Sequence, residues 1–147
     1  MAESTIASVI LGSFGLIITF VYNHYNRKLA NDRMNKELFT EFNARYSKLN
    51  NSLFKIIADC KTADDIRKDT GLYNDLNDYF NLCAEEYYWY KKGRIDSVIW
   101  KAWSDGMNDW YKYPVIQDAW DEEIKKFGCI SYYIKDKNEF FFKIRKG

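Results

Sequence analysis

Residues 6–22 read IASVILGSFGLIITFVY, within an uncharged run from Ser4 to Asn26 when His24 is counted neutral. At about 1.5 Å of rise per helical residue the apolar block covers about 25 Å, and the whole run is long enough for a hydrocarbon core of roughly 30 Å. Three readings compete for it: a cleaved signal peptide, a buried core helix and a retained transmembrane helix. A signal peptide needs a basic leader and a small-x-small cleavage site. Here the leader is MAES, with Glu3 its only charged side chain, and the block ends in the bulky Phe20, Val21 and Tyr22. A core helix returns polar residues every few positions, whereas this block carries only Ser8, Ser13 and Thr19, whose hydroxyls can bond to their own helix backbone. The sequence therefore predicts a retained transmembrane anchor over 1–26 and a helical domain over 27–147.

The flanks add an orientation and two partners to that expectation. No Lys or Arg precedes the block, and Arg27, Lys28, Arg33 and Lys36 come after it, which predicts a single-pass cell-membrane protein with its N-terminus outside and its body cytoplasmic. Tyr22 and Tyr25 fall where an interfacial aromatic belt would lie, with His24 beside them as a wetted residue. Membrane lipid is thus the expected partner of 6–22. Ser8, Gly12 and Gly15 share one helix face with Ser4 and Thr19, where a second anchor could approach to form a homo-oligomer, although Gly and Ser are common in membrane helices generally.

Without the anchor about 120 residues remain, enough for one domain with a modest core. Lys and Arg total 22 against 21 Asp and Glu, so there is no electrostatic footprint for nucleic acid. Cys60, Cys83 and Cys129 are odd in number, widely spaced and without a CxxC, a pattern of thiols in a reducing compartment rather than of a disulfide framework or a zinc site.

Along the body, Phe39, Phe42, Tyr46, Leu49, Leu53, Ile56 and Cys60 alternate steps of three and four, an apolar seam with polar residues elsewhere. This long helix fits a bundle better than a coiled coil, since fewer than four heptads precede other amphipathic segments. Thr62 caps a short helix from Ala63, which Gly71 is expected to break. A second long helix runs from Leu72 to Lys92 and ends at Gly93. Asp96 caps a third, Ser97 to Tyr113, with Trp100, Trp103, Met107 and Trp110 as its seam and Gly106 beside it as a site of close packing. Pro114 opens a fourth that carries Ile116, Trp120, Ile124 and Phe127 inward and Asp121, Glu122 and Glu123 outward, as far as Gly128. The runs Ile130 to Ile134 and Glu139 to Ile144 are β-branched and aromatic, which suggests a short C-terminal β-hairpin, with a short helix or an irregular tail as alternatives. The expected fold class is mainly α: the anchor, then a bundle of about four helices.

The stretch Tyr79 to Trp110, YFNLCAEEYYWYKKGRIDSVIWKAWSDGMNDW, resembles an uncharacterised family of small bacterial single-pass membrane proteins with a cytoplasmic helical domain. The marks are Glu85, Glu86, Gly93, Ile95, Asp96, Trp100 and Trp103, a helix ending in Gly, then hydrophobe-Asp, then an aromatic-rich helix. The resemblance covers the anchor and about a quarter of the chain. It implies location and architecture, and no activity.

No catalytic, cofactor or metal motif stands out. Glu85 and Glu86 are the candidate carboxylates, but neighbours on a helix point about 100° apart and cannot converge as an acid and base pair. One of them can be partly buried and hydrogen-bonded to a Tyr or Trp of another helix. Tyr87, Tyr88, Trp89 and Tyr90 are consecutive, so one face cannot take all four, and Tyr88 or Trp89 belongs to a second helix contact or to an exposed binding surface. The expected function is a membrane-tethered interaction or regulatory module with Glu85, Glu86, Tyr88 and Trp89 as candidate interaction residues. The alternative is a membrane-surface enzyme that uses carboxylates such as Glu85 and Glu86.

Overall fold

The computed structural model describes residues 2–136, with side chains described from residue 13 onward. Among these residues the order is α1 (Ala2–Asp59), α2 (Ala63–Lys68), α3 (Thr70–Lys91), α4 (Ser97–Tyr111), α5 (Pro114–Phe127) and a 3-10 turn (Cys129–Tyr132), with no strand. The chain divides into two units, Met1–Glu37 and Leu38–Gly147.

The first unit corrects the expectation of a transmembrane anchor. Among the described residues no helix is long and apolar enough to cross a membrane, which overturns the single-pass architecture. α1 does not stop at the end of the apolar block: it continues unbroken through Asn23, His24, Asn26, Arg27 and Lys28, so the block is the start of a 58-residue helix whose remainder is largely polar and charged. The orientation expected from the basic flank presupposes that anchor. Ser8 and Gly12 lie outside the described side chains. At Gly15 an added Cβ would meet nothing within 4 Å, and the Gly15 carbonyl accepts a hydrogen bond of 2.8 Å from Thr19 Oγ1.

In the second unit the seam of α1 supplies Phe42, Leu49, Leu53 and Ile56 to the core, with Tyr46 half-buried and Phe39 exposed. These side chains join Leu76, Tyr79, Phe80 and Cys83 of α3 and Ile116 and Trp120 of α5 in one apolar cluster. Local chemistry sets the corners between helices. The Thr62 hydroxyl accepts from the Asp65 backbone N–H while the Asp65 carboxylate accepts from the Thr62 N–H, a reciprocal cap that starts α2. Asp69, rather than Gly71, makes the next break: its carboxylate accepts from the N–H groups of Gly71 and Leu72, so Gly71 falls in the first turn of α3. At the other end of α3, Gly93 has φ of 67°, its N–H bonds Tyr90 O at 2.8 Å and the Arg94 N–H bonds Trp89 O at 3.0 Å. That pair of bonds closes the helix and requires a left-handed residue, which glycine supplies without strain. Asp96 caps α4 through the Val98 N–H at 2.7 Å, and Pro114 stands at the first position of α5, where no N–H is needed.

Two further expectations are corrected. The first half of the suggested hairpin, Ile130 to Ile134, enters the 3-10 turn instead, with Ile130 exposed and Tyr132 and Ile134 buried. An isolated strand leaves its backbone groups unpaired, whereas here the Tyr132 ring packs on Trp120 and its hydroxyl reaches Glu123. The second half, Glu139 to Ile144, lies outside the described residues. Glu123, expected on the outer face, is buried and accepts hydrogen bonds from the hydroxyls of Tyr73 and Tyr132, each at 3.1 Å.

Trp120 is the largest fully buried side chain and meets Phe80 and Tyr132 edge to face at 5.0 and 4.9 Å. Trp120→Ala is expected to lower stability by about 3–5 kcal/mol, and Ile130→Ala, at an exposed position, by no more than about 0.5 kcal/mol. Urea unfolding of the full chain checks both, and comparable losses would contradict this assignment of the core.

Candidate functional site

Three helices of the Leu38–Gly147 unit enclose a partly open cavity of about 140 Å³. Asn43 and Tyr46 come from α1, Tyr79, Leu82, Cys83 and Glu86 from α3, and Ala102, Trp103, Gly106 and Met107 from α4. The spacing explains the convergence. On α3 the steps from Tyr79 through Leu82 and Cys83 to Glu86 are one or two helical turns, so all four share a face. On α4 the same rule brings Trp103, Gly106 and Met107 together. Gly106, expected to admit a closely packed neighbour, does not: a Cβ built on it meets nothing within 4 Å, and the missing side chain contributes to the empty volume.

The walls are aromatic and mostly tied in place. Tyr46 and Tyr79 lie with ring centroids 6.5 Å apart, and the Tyr46 hydroxyl accepts a 2.8 Å bond from the Trp110 indole N–H. Trp103 is held between Phe39, stacked at 6.0 Å, and Phe42, edge-on at 5.7 Å. The Asn43 amide donates to Phe39 O at 2.7 Å, which leaves its Oδ1 as an acceptor. Tyr79 is buried, and its hydroxyl has no geometrically satisfactory hydrogen bond among the described residues. Burial raises both that phenol and the Cys83 thiol well above their ordinary values, so both are neutral.

The two adjacent glutamates have opposite fates. Arg45 of α1 donates to Glu85 through both terminal nitrogens, Nη1 to Oε2 at 2.6 Å and Nη2 to Oε1 at 3.0 Å, and Glu41 stands 3.7 Å from the same guanidinium. The hydrogen bonds to Glu85 hold the guanidinium above its ordinary value. Glu86 is only 6% exposed and lines the cavity, and no donor among the described residues hydrogen-bonds its carboxyl. Burial pushes that carboxyl up to about 8, against the attraction of Arg45 and with a further push from Glu85. The expectation that a buried glutamate would bond to a Tyr or Trp of another helix is therefore not met. Glu85 bonds to an arginine, and Glu86 to none of the described residues.

Tyr88 and Trp89 lie outside the cavity lining. All four residues of the aromatic run are half-buried. Tyr87 and Tyr90 pack on Trp100 of α4, at 5.6 and 4.8 Å, while Tyr88 contacts Trp89 at 5.4 Å and Tyr133 at 5.2 Å. Two turn one way and one the other, as a helix packed between two layers requires. Of the candidate interaction residues, only Glu86 reaches the cavity. Tyr46, Tyr79, Trp103 and Gly106 were legible as helix-face residues and Asn43 as a polar residue off the α1 seam, but nothing in their spacing marked them as a site. The one local signal was a glycine inside an aromatic helix seam.

No protein-family model, curated protein or solved structure matches the chain. The functional reading therefore rests on the residues themselves.

The buried carboxyl has a direct consequence for stability. An unfolded glutamate titrates near 4.5, so between that pH and 8 the folded chain retains a proton that the unfolded chain releases. The contribution of Glu86 is fully present below about 4.5 and is lost as pH rises through 8. Glu86→Gln, which keeps the shape without the titration, is expected to be more stable than the parent by about 3 kcal/mol at pH 7 and equal to it at pH 4. Urea unfolding at the two pH values measures the difference. A variant less stable than the parent at pH 7 would contradict an unpartnered Glu86.

Proposed function

We propose that the Leu38–Gly147 unit is a helical interaction or regulatory module whose input is a small ligand received in the cavity between α1, α3 and α4. The observation that carries this reading is Glu86, a buried carboxyl without a hydrogen-bond partner among the described residues, lining the cavity. Burying such a group costs free energy that a purely structural position would have no reason to retain, and sites with that cost are concentrated where ligands supply the missing partner. The cavity belongs to three helices at once. A ligand seated there touches α1, α3 and α4 together and alters how tightly they pack, which is the property a regulatory module needs.

The alternative of an enzyme using Glu85 and Glu86 has less support. Glu85 is engaged by Arg45, so the cavity holds a single carboxyl, and the Cys83 thiol and Tyr79 phenol beside it are held neutral by burial.

The module reading is tested by two-dimensional NMR of the full chain with a library of fragments of about five to eight non-hydrogen atoms. Binding fragments are expected to shift backbone amides of Tyr46, Cys83, Glu86 and Gly106 together. Gly106→Leu, which places a side chain in the space, is expected to abolish those shifts, and Gly106→Ala to weaken them while stabilising α4 by about 0.5–1 kcal/mol. A library that shifts none of these amides, or shifts them equally in Gly106→Leu, would overturn it.

A further inference from the structure

The chemistry of the lining narrows what the cavity can hold. Its polar atoms are the Glu86 carboxyl, Asn43 Oδ1 and the hydroxyls of Tyr46 and Tyr79, and among the described residues no Lys, Arg or His lines it. Carboxyl and amide oxygens accept hydrogen bonds, and the rings of Tyr46, Tyr79 and Trp103 offer π faces with negative quadrupoles. An anion would find neither a cation nor a cluster of N–H donors. A neutral apolar ligand would bring Glu86 no hydrogen-bond partner. A cation with N–H or N–CH3 groups meets a carboxylate and aromatic rings together, the combination that recognises ammonium groups.

The surrounding charges agree. Arg45 is the cation that acts on Glu86, and it is outnumbered by Glu41 and Glu85, both of which it contacts. Ionising Glu86 therefore adds a second uncompensated negative charge to this group. On α3 the other titratable lining groups are Tyr79 and Cys83, both held neutral by burial, and the α4 residues of the lining do not titrate. Arg45 acts on Glu86 from the facing helix α1 but is engaged by Glu85, and among the described residues the lining itself adds no cation.

We infer that the cavity is a receptor for a small organic ammonium ion, a primary or methylated amine, held by the Glu86 carboxylate and the rings of Tyr46, Tyr79 and Trp103. The volume, about 140 Å³, suits about five to eight non-hydrogen atoms. This assignment rests on the reading of the cavity as a ligand site and specifies its chemical class. Binding couples to a proton: the empty site holds Glu86 protonated at neutral pH, the bound cation requires it ionised, and one proton leaves as the amine enters. Affinity therefore rises about tenfold per pH unit up to about 8 and levels above it, as long as the amine itself stays charged.

The test is NMR titration of the full chain with tetramethylammonium, which has no proton to lose, alongside tert-butanol as a neutral probe of similar size and acetate as an anion. Tetramethylammonium is expected to shift the cavity amides with a dissociation constant on the order of 1 mM or tighter. Between pH 6 and 8 the affinity is expected to rise at least tenfold, and Glu86→Gln to lose at least tenfold at pH 8. Tert-butanol or acetate binding as well as tetramethylammonium, or Glu86→Gln binding it unchanged, overturns the cationic assignment while leaving the cavity a ligand site. Failure of all three probes and of the wider fragment library overturns both readings.

Discussion

Arg45 has one guanidinium, and two adjacent glutamates of α3 stand near it. Glu85 takes both of its terminal nitrogens in a fork at 2.6 and 3.0 Å, and a helix sets neighbouring side chains about 100° apart, so the same arginine cannot also reach Glu86. The fork ties α1 to α3 at the level of Tyr46, and by fixing Glu85 at the α1 contact it turns Glu86 inward beside Tyr79 and Cys83. Local geometry and burial are then in conflict at Glu86. A carboxyl is carried into an apolar interior where no described residue bonds to it, and it resolves the conflict by holding its proton up to about pH 8.

The rest of the cavity is arranged around that position. Gly106 leaves space on α4 opposite α3, Trp103 is held in place by Phe39 and Phe42, and the Tyr46 hydroxyl is fixed by Trp110. Each of these holds a wall in place without filling the centre. Elsewhere in the unit a buried carboxyl is treated differently: Glu123 receives two tyrosine hydroxyls, one from α3 and one from the 3-10 turn. Among the described residues the fold thus supplies partners to a buried glutamate in one place and none in another, and the contrast singles out Glu86.

Much of the architecture was legible in the sequence because it is set by neighbours along the chain. The seam through Phe42, Leu49, Leu53 and Ile56, the Thr62 and Asp96 caps, the Gly93 stop and the Pro114 start each depend on a few consecutive residues and one helical period. Corrections arose where distant residues or overall length decide. The block at 6–22 has the composition of a span, yet among the described residues no helix is apolar enough over sufficient length. Ile130 to Ile134 has strand composition, but the contacts of Tyr132 with Trp120 and Glu123 override it. Glu123 carries no sign in the sequence of the two hydroxyls that meet it. The pair Glu85 and Glu86 was visible, and so was their divergence; which of them would be left alone depended on Arg45, forty positions away from Glu85.

The most direct measurement is the titration of the Glu86 carboxyl itself, observed by carbon NMR of the full chain with the resonance assigned through Glu86→Gln. An unpartnered carboxyl in the cavity requires a midpoint near 8, displaced downward when tetramethylammonium is added. A midpoint in the ordinary glutamate range near 4.5, unmoved by the cation, would mean that Glu86 is solvated or paired and that the cavity has no unmet charge to offer.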